Sequence, residues 1–340
     1  MSVPVSVQAS PQDRDRIAQL VCGHMATRVV GAAASLGLAD LIGSEPVPAS
    51  ELAGALGCHP GALLRLLRAM AALELLTETE AGVFRLTGAG SLLRTDHEDS
   101  MHSFVGMTTH PAMLDAWRLL DEAVRAGSTV FDRVFGTDFF RHLGQDGQLS
   151  EQFNTAMRQS ARIAARVLPS AFDFGRYGTL ADIGGGNGTL LSAILAEHPR
   201  LRGILFDTPE GIAQARLPRR CERQSGDFFA AVPAGAELYL LKSILHDWDD
   251  ARSASILDNI RAVIPEHGRL LVVEPVLPEV VEPGESALAY LSDLNMLVNL
   301  GGQERTGAEF ARLFAGSGFE LADVTPLPPA RFSLIEAVPV

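Results

Sequence analysis

Cysteine is scarce in this chain: three residues in 340, Cys22, Cys58 and Cys221, far apart and with no C-x-x-C pair. That excludes a disulfide framework or a cysteine zinc site, and a reducing cytoplasm is the expected compartment. Positive charge is also short. Lys and Arg number 28 against 41 Asp and Glu, a formal charge of −13, so the long-range field opposes nucleic acid phosphate and no nucleic-acid partner is expected. No apolar run approaches the roughly eighteen residues of a membrane span, and even the stretch after Arg28 is broken by Asp40. The first ten residues carry neither a basic n-region nor a long apolar core and read as a mobile tail, not a signal peptide. No repeat or low-complexity block is present, and 340 residues suffice for two domains with full cores.

Over residues 13–42, apolar positions recur at helical spacing among many alanines, and Gly23, Gly31 and Gly37 keep that face small, which suits close packing on another helix. A short helix from Ser50 closes on Gly57, and His59-Pro60 opens a strongly amphipathic helix over 61–75. Its inner face is Leu63, Leu64, Leu66, Leu67 and Met70, with Arg65 and Arg68 outside. Residues 77–86 read as a β-hairpin turning near Glu80-Ala81-Gly82, and Thr87 starts another helix. Helix, turn, helix and two-stranded wing is a winged-helix pattern. DNA binding is its obvious use, but an acidic chain joined to a cofactor-like domain favours a dimerisation platform.

Helices follow over 99–174, dense in methionine, histidine and aromatics, including Trp117, Phe131, Phe135, Phe139, Phe140, Phe153 and Met157. Such side chains suit a planar apolar ligand, and equally a helical core. From Thr179 strands and helices alternate. Strands are expected at 179–182, 202–207, 238–243 and 269–274, helices at 189–197, 210–215 and 251–263, and an antiparallel edge strand at 332–337.

The first of those strands runs into Asp182-Ile183-Gly184-Gly185-Gly186-Asn187-Gly188. A dinucleotide fingerprint needs G-x-G-x-x-G, and from Gly184 and Gly186 the third glycine falls on Thr189. No Gly-Lys-Ser/Thr follows for a P-loop. A G-x-G-x-G turn at the mouth of a parallel sheet leans towards S-adenosylmethionine, which has no pyrophosphate to seat on a helix N-terminus. Ligands in such sheets lie at the carboxyl ends of the strands, which nominates Asp182, Asp207, Asp227, Lys242, His246 and Glu274. Asp207 lies 23 positions after Gly184, near the spacing for an acid that accepts ribose hydroxyls, and alternatively caps the helix at Pro209. Asp227 is placed to accept an adenine amino group and Phe228 to cover the ring, although Phe228 also fits a core. His246, just past a strand end beside Asp247, has the unperturbed pKa of about 6.5 that leaves neutral imidazole available as a base at pH 7. Glu274 and Glu304 are the carboxylates available to orient it.

Asp182-Ile183-Gly184-Gly185-Gly186, Phe206-Asp207, Gly226-Asp227-Phe228-Phe229, Leu241-Lys242-Ser243-Ile244-Leu245-His246-Asp247-Trp248, Leu271-Val272-Val273-Glu274 and Gly301-Gly302-Gln303-Glu304-Arg305-Thr306 stand in order. In this the chain resembles the small-molecule O-methyltransferases typified by plant caffeate methyltransferases and bacterial antibiotic-aglycone methyltransferases. The resemblance implies an α/β, Rossmann-like doubly wound methyltransferase domain over 175–340. It also implies an all-α, winged-helix dimerisation domain over 1–98 and a helical region over 99–174 lining the substrate chamber. It implies S-adenosylmethionine as cofactor, held by Asp182, Gly184, Gly186, Asp207, Asp227, Phe228 and Lys242. His246 becomes the base, flanked by Glu274 and Glu304 with Asp247 adjacent. Phe153, Met157, Met296 and Asn299 match pocket-lining stretches. A homodimer, a hydroxylated aromatic acceptor such as a polyketide or phenazine, and no metal are further implications. Ser243 departs from the plant pattern, which has tryptophan three residues before the histidine, so the pocket floor is smaller or more polar here. Relatives that hydroxylate or decarboxylate are the alternative reading, and a ligand-responsive winged-helix regulator a more distant one.

Overall fold

The computed structural model describes residues 9–282, 284 and 286–340, so the tail expected over the first ten residues lies, up to residue 8, outside the described residues. The chain divides into two compact units, Met1–Leu114 with Gln148–Ala156, and Asp115–Gly147 with Met157–Val340.

In the first unit the expected helical stretch over 13–42 is three helices, Pro11–Val21, Gly23–Ser35 and Leu38–Ile42. Ser10 and Asp13 form a capping box at the start, and Gly37, at φ 63°, turns the chain between the second and third. The helix Ala49–Leu56 ends on left-handed Gly57, and His59 caps the helix Pro60–Ala72. Of the five inward residues expected there, Leu63, Leu67 and Met70 are fully buried, at i, i+4 and i+7, while Leu64 and Leu66 are half-buried. β1 (Val47–Pro48), β2 (Leu76–Glu80) and β3 (Val83–Leu86) form an antiparallel sheet in the order β1-β3-β2, with Phe84 buried against Leu67 and Met70. Arg68, one of the two outward basic residues of the helix, is paired with Glu78 of the wing at 3.2 Å.

The second unit is built on β4 (Thr179–Ile183), β5 (Arg202–Asp207), β6 (Cys221–Ser225), β7 (Leu238–Lys242) and β8 (Arg269–Glu274), all parallel. A two-residue parallel ladder joins β9 (Val276–Leu277) to β10 (Arg305–Thr306). β11 (Phe319–Pro326) and β12 (Ser333–Pro339) complete the main sheet, whose order is β11-β12-β8-β7-β4-β5-β6. The final strand is antiparallel as expected, but it is not the edge. β12 lies between β8 and β11, because the extended stretch after Gly318 supplies an eight-residue strand that covers it. Two helices are shorter than expected: Pro209–Ile212 and Asp250–Arg261.

Both sheet faces are covered, so the strands read as continuous apolar runs. Ala181, Ile183, Phe206, Leu241 and Val272 pack with Ile256, Ile260, Phe310 and Phe314 on one face. Leu180, Leu205, Leu240, Leu271 and Val273 pack with Leu191, Ile194, Leu195 and Phe174 on the other. The period of two then assigns Asp182, Asp207 and Lys242 to this second face and Glu274 to the first. Among the described residues no single helix is long and apolar enough to cross a membrane; the bent pair Pro11–Val21 and Gly23–Ser35, at 41°, reaches that length and composition only together.

Phe84→Ala is expected to destabilise the first unit by about 3–5 kcal/mol, the usual cost of emptying a buried phenylalanine site. Hydrogen exchange in the helix Pro60–Ala72 checks this, and a change under about 1 kcal/mol would show that the wing does not belong to that core.

Candidate active site

At the carboxyl end of β4, Gly184, Gly186 and Gly188 adopt φ of 70°, 56° and 75°, the left-handed region that favours glycine. A Cβ on Gly184 would overlap Ile244, so the turn lies directly against the segment that follows β7, and the Phe228 ring is next to it. Gly184 and Gly185 donate their N–H to the Phe206 carbonyl at 2.8 and 3.3 Å, and Gly186 donates to Asp207 Oδ2 at 2.7 Å. Asp207 is therefore tied to the glycine turn, while the helix cap expected as its alternative role is taken by Thr208.

Asp182 is 2% exposed and its Oδ2 has no hydrogen-bond partner. Burial, with repulsion from Asp207 and against the attraction of Lys242, pushes its pKa up to about 7. Burial also raises Asp207, against the N–H groups it accepts from Gly186 and Thr208. Lys242 Nζ donates to Ser160 Oγ at 2.9 Å and stands 4.7 Å above the Phe332 ring. Burial brings its ammonium down to about 8, with Glu274, Asp247 and Asp182 opposing. Asp227 is exposed and accepts the Phe229 N–H at 2.8 Å; Asn259 donates to the carbonyls of Phe228 and Phe229 and fixes that loop. A cavity of about 470 Å³ beside the turn is lined by Arg158, Asn187, Thr189, Ser192, Gln214 and Arg216.

Beyond β7 the chain reverses through Ser243, at φ 54°, into a three-residue 3₁₀ turn, Leu245–Asp247. Glu274 Oε1 accepts the N–H groups of Ile244, Leu245 and His246 at 3.0, 2.7 and 3.3 Å. It thus holds the backbone of the turn, while its charge also acts on the imidazole. Glu304 meets the ring itself: both its oxygens are 3.3 Å from His246 Nδ1. Ser292 Oγ donates to Glu304 Oε1 at 2.9 Å and the Glu304 N–H is fixed by Asp293. His246 Nε2 faces Asp247 Oδ1 at 3.5 Å. Burial disfavours the imidazolium, but Asp247, Glu304 and Glu274 outweigh it and raise the ring to about 9. The unperturbed value expected for the ring is thereby corrected: the neighbouring acids raise it, with burial opposing.

Four residues to which sequence reasoning gave no role complete the turn. Arg305 donates to the carbonyls of Leu245 and Trp248, each at 3.0 Å. Gly302 packs its Cα on the same backbone, where a Cβ would overlap the His246 carbonyl, and Gln303 N–H donates to that carbonyl at 3.0 Å. Ser253 Oγ donates to the Leu245 carbonyl at 3.1 Å. The available signal was an arginine and paired glycines inside one motif, Gly301 to Thr306, with no apolar pattern to explain them.

Trp248 stacks on Phe140 with ring centroids 5.3 Å apart, and Phe140 continues into Phe139, Phe131, Phe135 and His142. Arg252 lies 4.4 Å from both the Trp248 and Phe229 rings. Of the pocket residues expected, Met157, Met296 and Asn299 belong to this second unit, and Phe153 to the first. Asn299, in the π-turn Met296–Leu300, is 1% exposed; its Nδ2 donates to Asn295 Oδ1, which also accepts from Trp117 Nε1 at 3.0 Å.

Residues 117–320 match the family model of an O-methyltransferase domain, and residues 18–96 that of an O-methyltransferase dimerisation domain. The chain is 48% identical to the O-demethylpuromycin-O-methyltransferase of Streptomyces alboniger, across 96% of this chain and 89% of that one. It is 42% identical to the phenazine O-methyltransferase PhzM of Lysobacter antibioticus, across 95% of each. Its fold matches CalO1, a methyltransferase in calicheamicin biosynthesis solved in its SAH-bound form, with a TM-score of 0.85 at 32% identity, covering 98% of this chain and 100% of that one.

The His246 ring is expected to titrate near 9 in an NMR pH series, and Glu304→Gln to lower that midpoint towards the ordinary 6.5 or so. A wild-type midpoint at the ordinary value would refute the carboxylate enclosure.

Proposed function

The chain belongs to the O-methyltransferase family and uses S-adenosylmethionine, and on that premise we propose that it methylates an aromatic hydroxyl of a small natural product, with His246 as general base and no metal. The observation that carries this reading is the pairing of His246 Nδ1 with both oxygens of buried Glu304, at 3.3 Å, at the edge of the sheet that carries the glycine turn.

The residues at that turn fit the cofactor. The orphaned Oδ2 of Asp182, with Asp207 and Asp227, offers carboxylates to a cationic, hydroxyl-bearing ligand, while Arg158 and Arg216 line a cavity suited to a carboxylate. Gly184, Gly186, Phe228 and Lys242 would complete the site. S-adenosylmethionine, when bound, supplies an electrophilic methyl group on a sulfonium.

The acceptor is read as an aromatic hydroxyl because Trp248, two residues after the base, stacks on Phe140, which leads on to Phe139, and because the relatives are named for O-demethylpuromycin and phenazine. A phenol with pKa near 10 is a poor nucleophile at pH 7. His246 Nε2 accepts its proton, and Glu304, on the Nδ1 side, stabilises the imidazolium that results. Met296 and Asn299 would border the acceptor, with Met157 and Phe153 further along their helix. Holding the acceptor oxygen in a dry site at near-attack distance supplies roughly 7–11 kcal/mol.

We read residues 1–98 as the dimerisation domain, 99–174 as the substrate-lining region and 175–340 as the catalytic domain. Exposed Ile17, Leu20, Val21 and Met25 on the first two helices give the first of these an apolar face that a second copy would cover. Sedimentation should show a dimer, and Leu20→Glu should weaken it; a monomeric wild type would remove this element.

His246→Ala is expected to lower turnover about 10²–10⁴-fold while calorimetric binding of S-adenosylhomocysteine stays within about twofold. In the wild type kcat/KM should rise with pH and level off near 9, as the ring gives up its proton. Chelation by EDTA should leave turnover unchanged. Full turnover in the alanine variant would end the base assignment.

A further inference from the structure

Arg305 is 1% exposed and is the largest fully buried side chain among the described residues. Its guanidinium is used on every nitrogen. Nε and Nη2 donate to Asp250 Oδ1 at 3.0 and 2.9 Å, Nη2 also to the Trp248 carbonyl at 3.0 Å and Ser253 Oγ at 3.2 Å, and Nη1 to the Leu245 carbonyl at 3.0 Å. Its ionic partner, Asp250, has a side chain 68% exposed, so an ion pair alone had no need to draw the arginine inside. A buried ion pair is commonly no more stabilising than apolar residues of the same volume. What the buried fork does here is give a second donor to the Leu245 carbonyl, which the turn itself reaches only through the Trp248 N–H at 3.2 Å, and reach the Trp248 carbonyl at the end of a turn only three residues long.

We infer that Arg305 is a positioning residue for methyl transfer: through the Leu245 and Trp248 carbonyls it fixes the turn that presents His246 to Glu304. This rests on the reading of His246 as the base. The geometry has a built-in register. In the β9–β10 ladder Arg305 stands opposite Val276, two residues beyond Glu274, and Glu304 precedes it. One two-residue ladder therefore sets the carboxylate that grips the N–H end of the turn, the guanidinium that grips its carbonyl end, and the carboxylate that meets the ring. Because Glu304 and Arg305 are consecutive, a turn released from Arg305 loses its register with Glu304, and a misplacement of about 1 Å at a reacting group is enough to cost on the order of 10²-fold in rate.

The test uses Arg305→Lys, which keeps the charge and loses the fork, and Ser253→Ala, which removes one hydroxyl from the same network. For Arg305→Lys kcat should fall about 10–100-fold with the KM for S-adenosylmethionine within about threefold. The NMR midpoint of the His246 ring should fall from near 9 towards its ordinary value, and since the charge is retained that fall reports geometry. Ser253→Ala should move both quantities the same way by a smaller amount. Wild-type kcat and midpoint in both variants would overturn the proposal. So would an Arg305→Lys protein that fails to bind S-adenosylhomocysteine together with an unmoved midpoint in Ser253→Ala, for Arg305 would then hold only the fold. If Arg305→Lys does not fold but Ser253→Ala shifts the midpoint, the proposal stands. Should His246→Ala keep full turnover, the base reading fails, while the NMR midpoint still decides whether Arg305 sets the surroundings of the ring.

Discussion

The turn that follows β7 depends on two buried charges of opposite sign, one at each end. Glu274 takes three consecutive N–H groups and Arg305 gives to two carbonyls, the arrangement that a helix dipole favours at its two termini. A turn of three residues has only two bonds of its own, Asp247 N–H to the Ile244 carbonyl and Trp248 N–H to the Leu245 carbonyl, and Ser243 enters it from a left-handed conformation that a non-glycine residue adopts at some cost. Backbone hydrogen bonds to ionised groups are stronger than neutral ones, so this pair can impose the conformation. The same bonds satisfy the two charges, which would otherwise be expensive to bury.

The rest of the second unit serves that placement. β8 and β7 are adjacent and parallel, so Glu274, the last residue of β8, lies beside the residues that leave β7. Strand alternation puts Glu274 on one face and Asp182, Asp207 and Lys242 on the other. The acids near the glycine turn and the acids around the base are in this way separated by the thickness of the sheet edge, and two groups of like charge coexist within a single carboxyl rim. Each group keeps a cation: Lys242 for the first, His246 and Arg305 for the second. Gly184 and Gly302 are the points of closest approach, one against Ile244 and the other against the backbone of the turn itself.

Much of this was legible from local pattern. Four of the five parallel strands follow from short apolar runs closed by acids or lysine, the polar β6 being the exception, and the helix Pro60–Ala72 from leucines at a helical period. His246 and Glu304 meet as the ordered motifs imply. What local pattern could not give were the facts made by long-range packing. The place of β12 inside the sheet depends on β11, whose half-polar sequence carries no clear strand period. Glu274 and Glu304 are equivalent as residues in a chain, and only the register of β9 on β10 decides which meets the ring and which meets the backbone. The role of Arg305 is invisible for the same reason: an arginine is read as solvated until its acceptors, backbone carbonyls with Asp250 and Ser253 from other segments, are seen to surround it. The titration of His246 belongs to this class too, since it is set by Asp247, Glu304 and Glu274 together.

As the proposed base, a ring raised to about 9 is ill suited to neutral pH only if occupancy is counted and strength is not. At pH 7 about one ring in a hundred is free of its proton. Yet for the proposed phenol acceptor, with pKa near 10, moving its proton to a ring at 6.5 is uphill by about 3.5 pK units, or roughly 5 kcal/mol, against roughly 1.4 kcal/mol for a ring near 9. Occupancy lost and driving force gained thus offset each other over much of the range, as Brønsted behaviour requires. Glu304, one of the three carboxylates that raise the pKa, is also the one that orients the ring, so orientation and basicity are coupled in this site. Through one contact, Glu304 both fixes Nδ1 and helps the ring keep its proton.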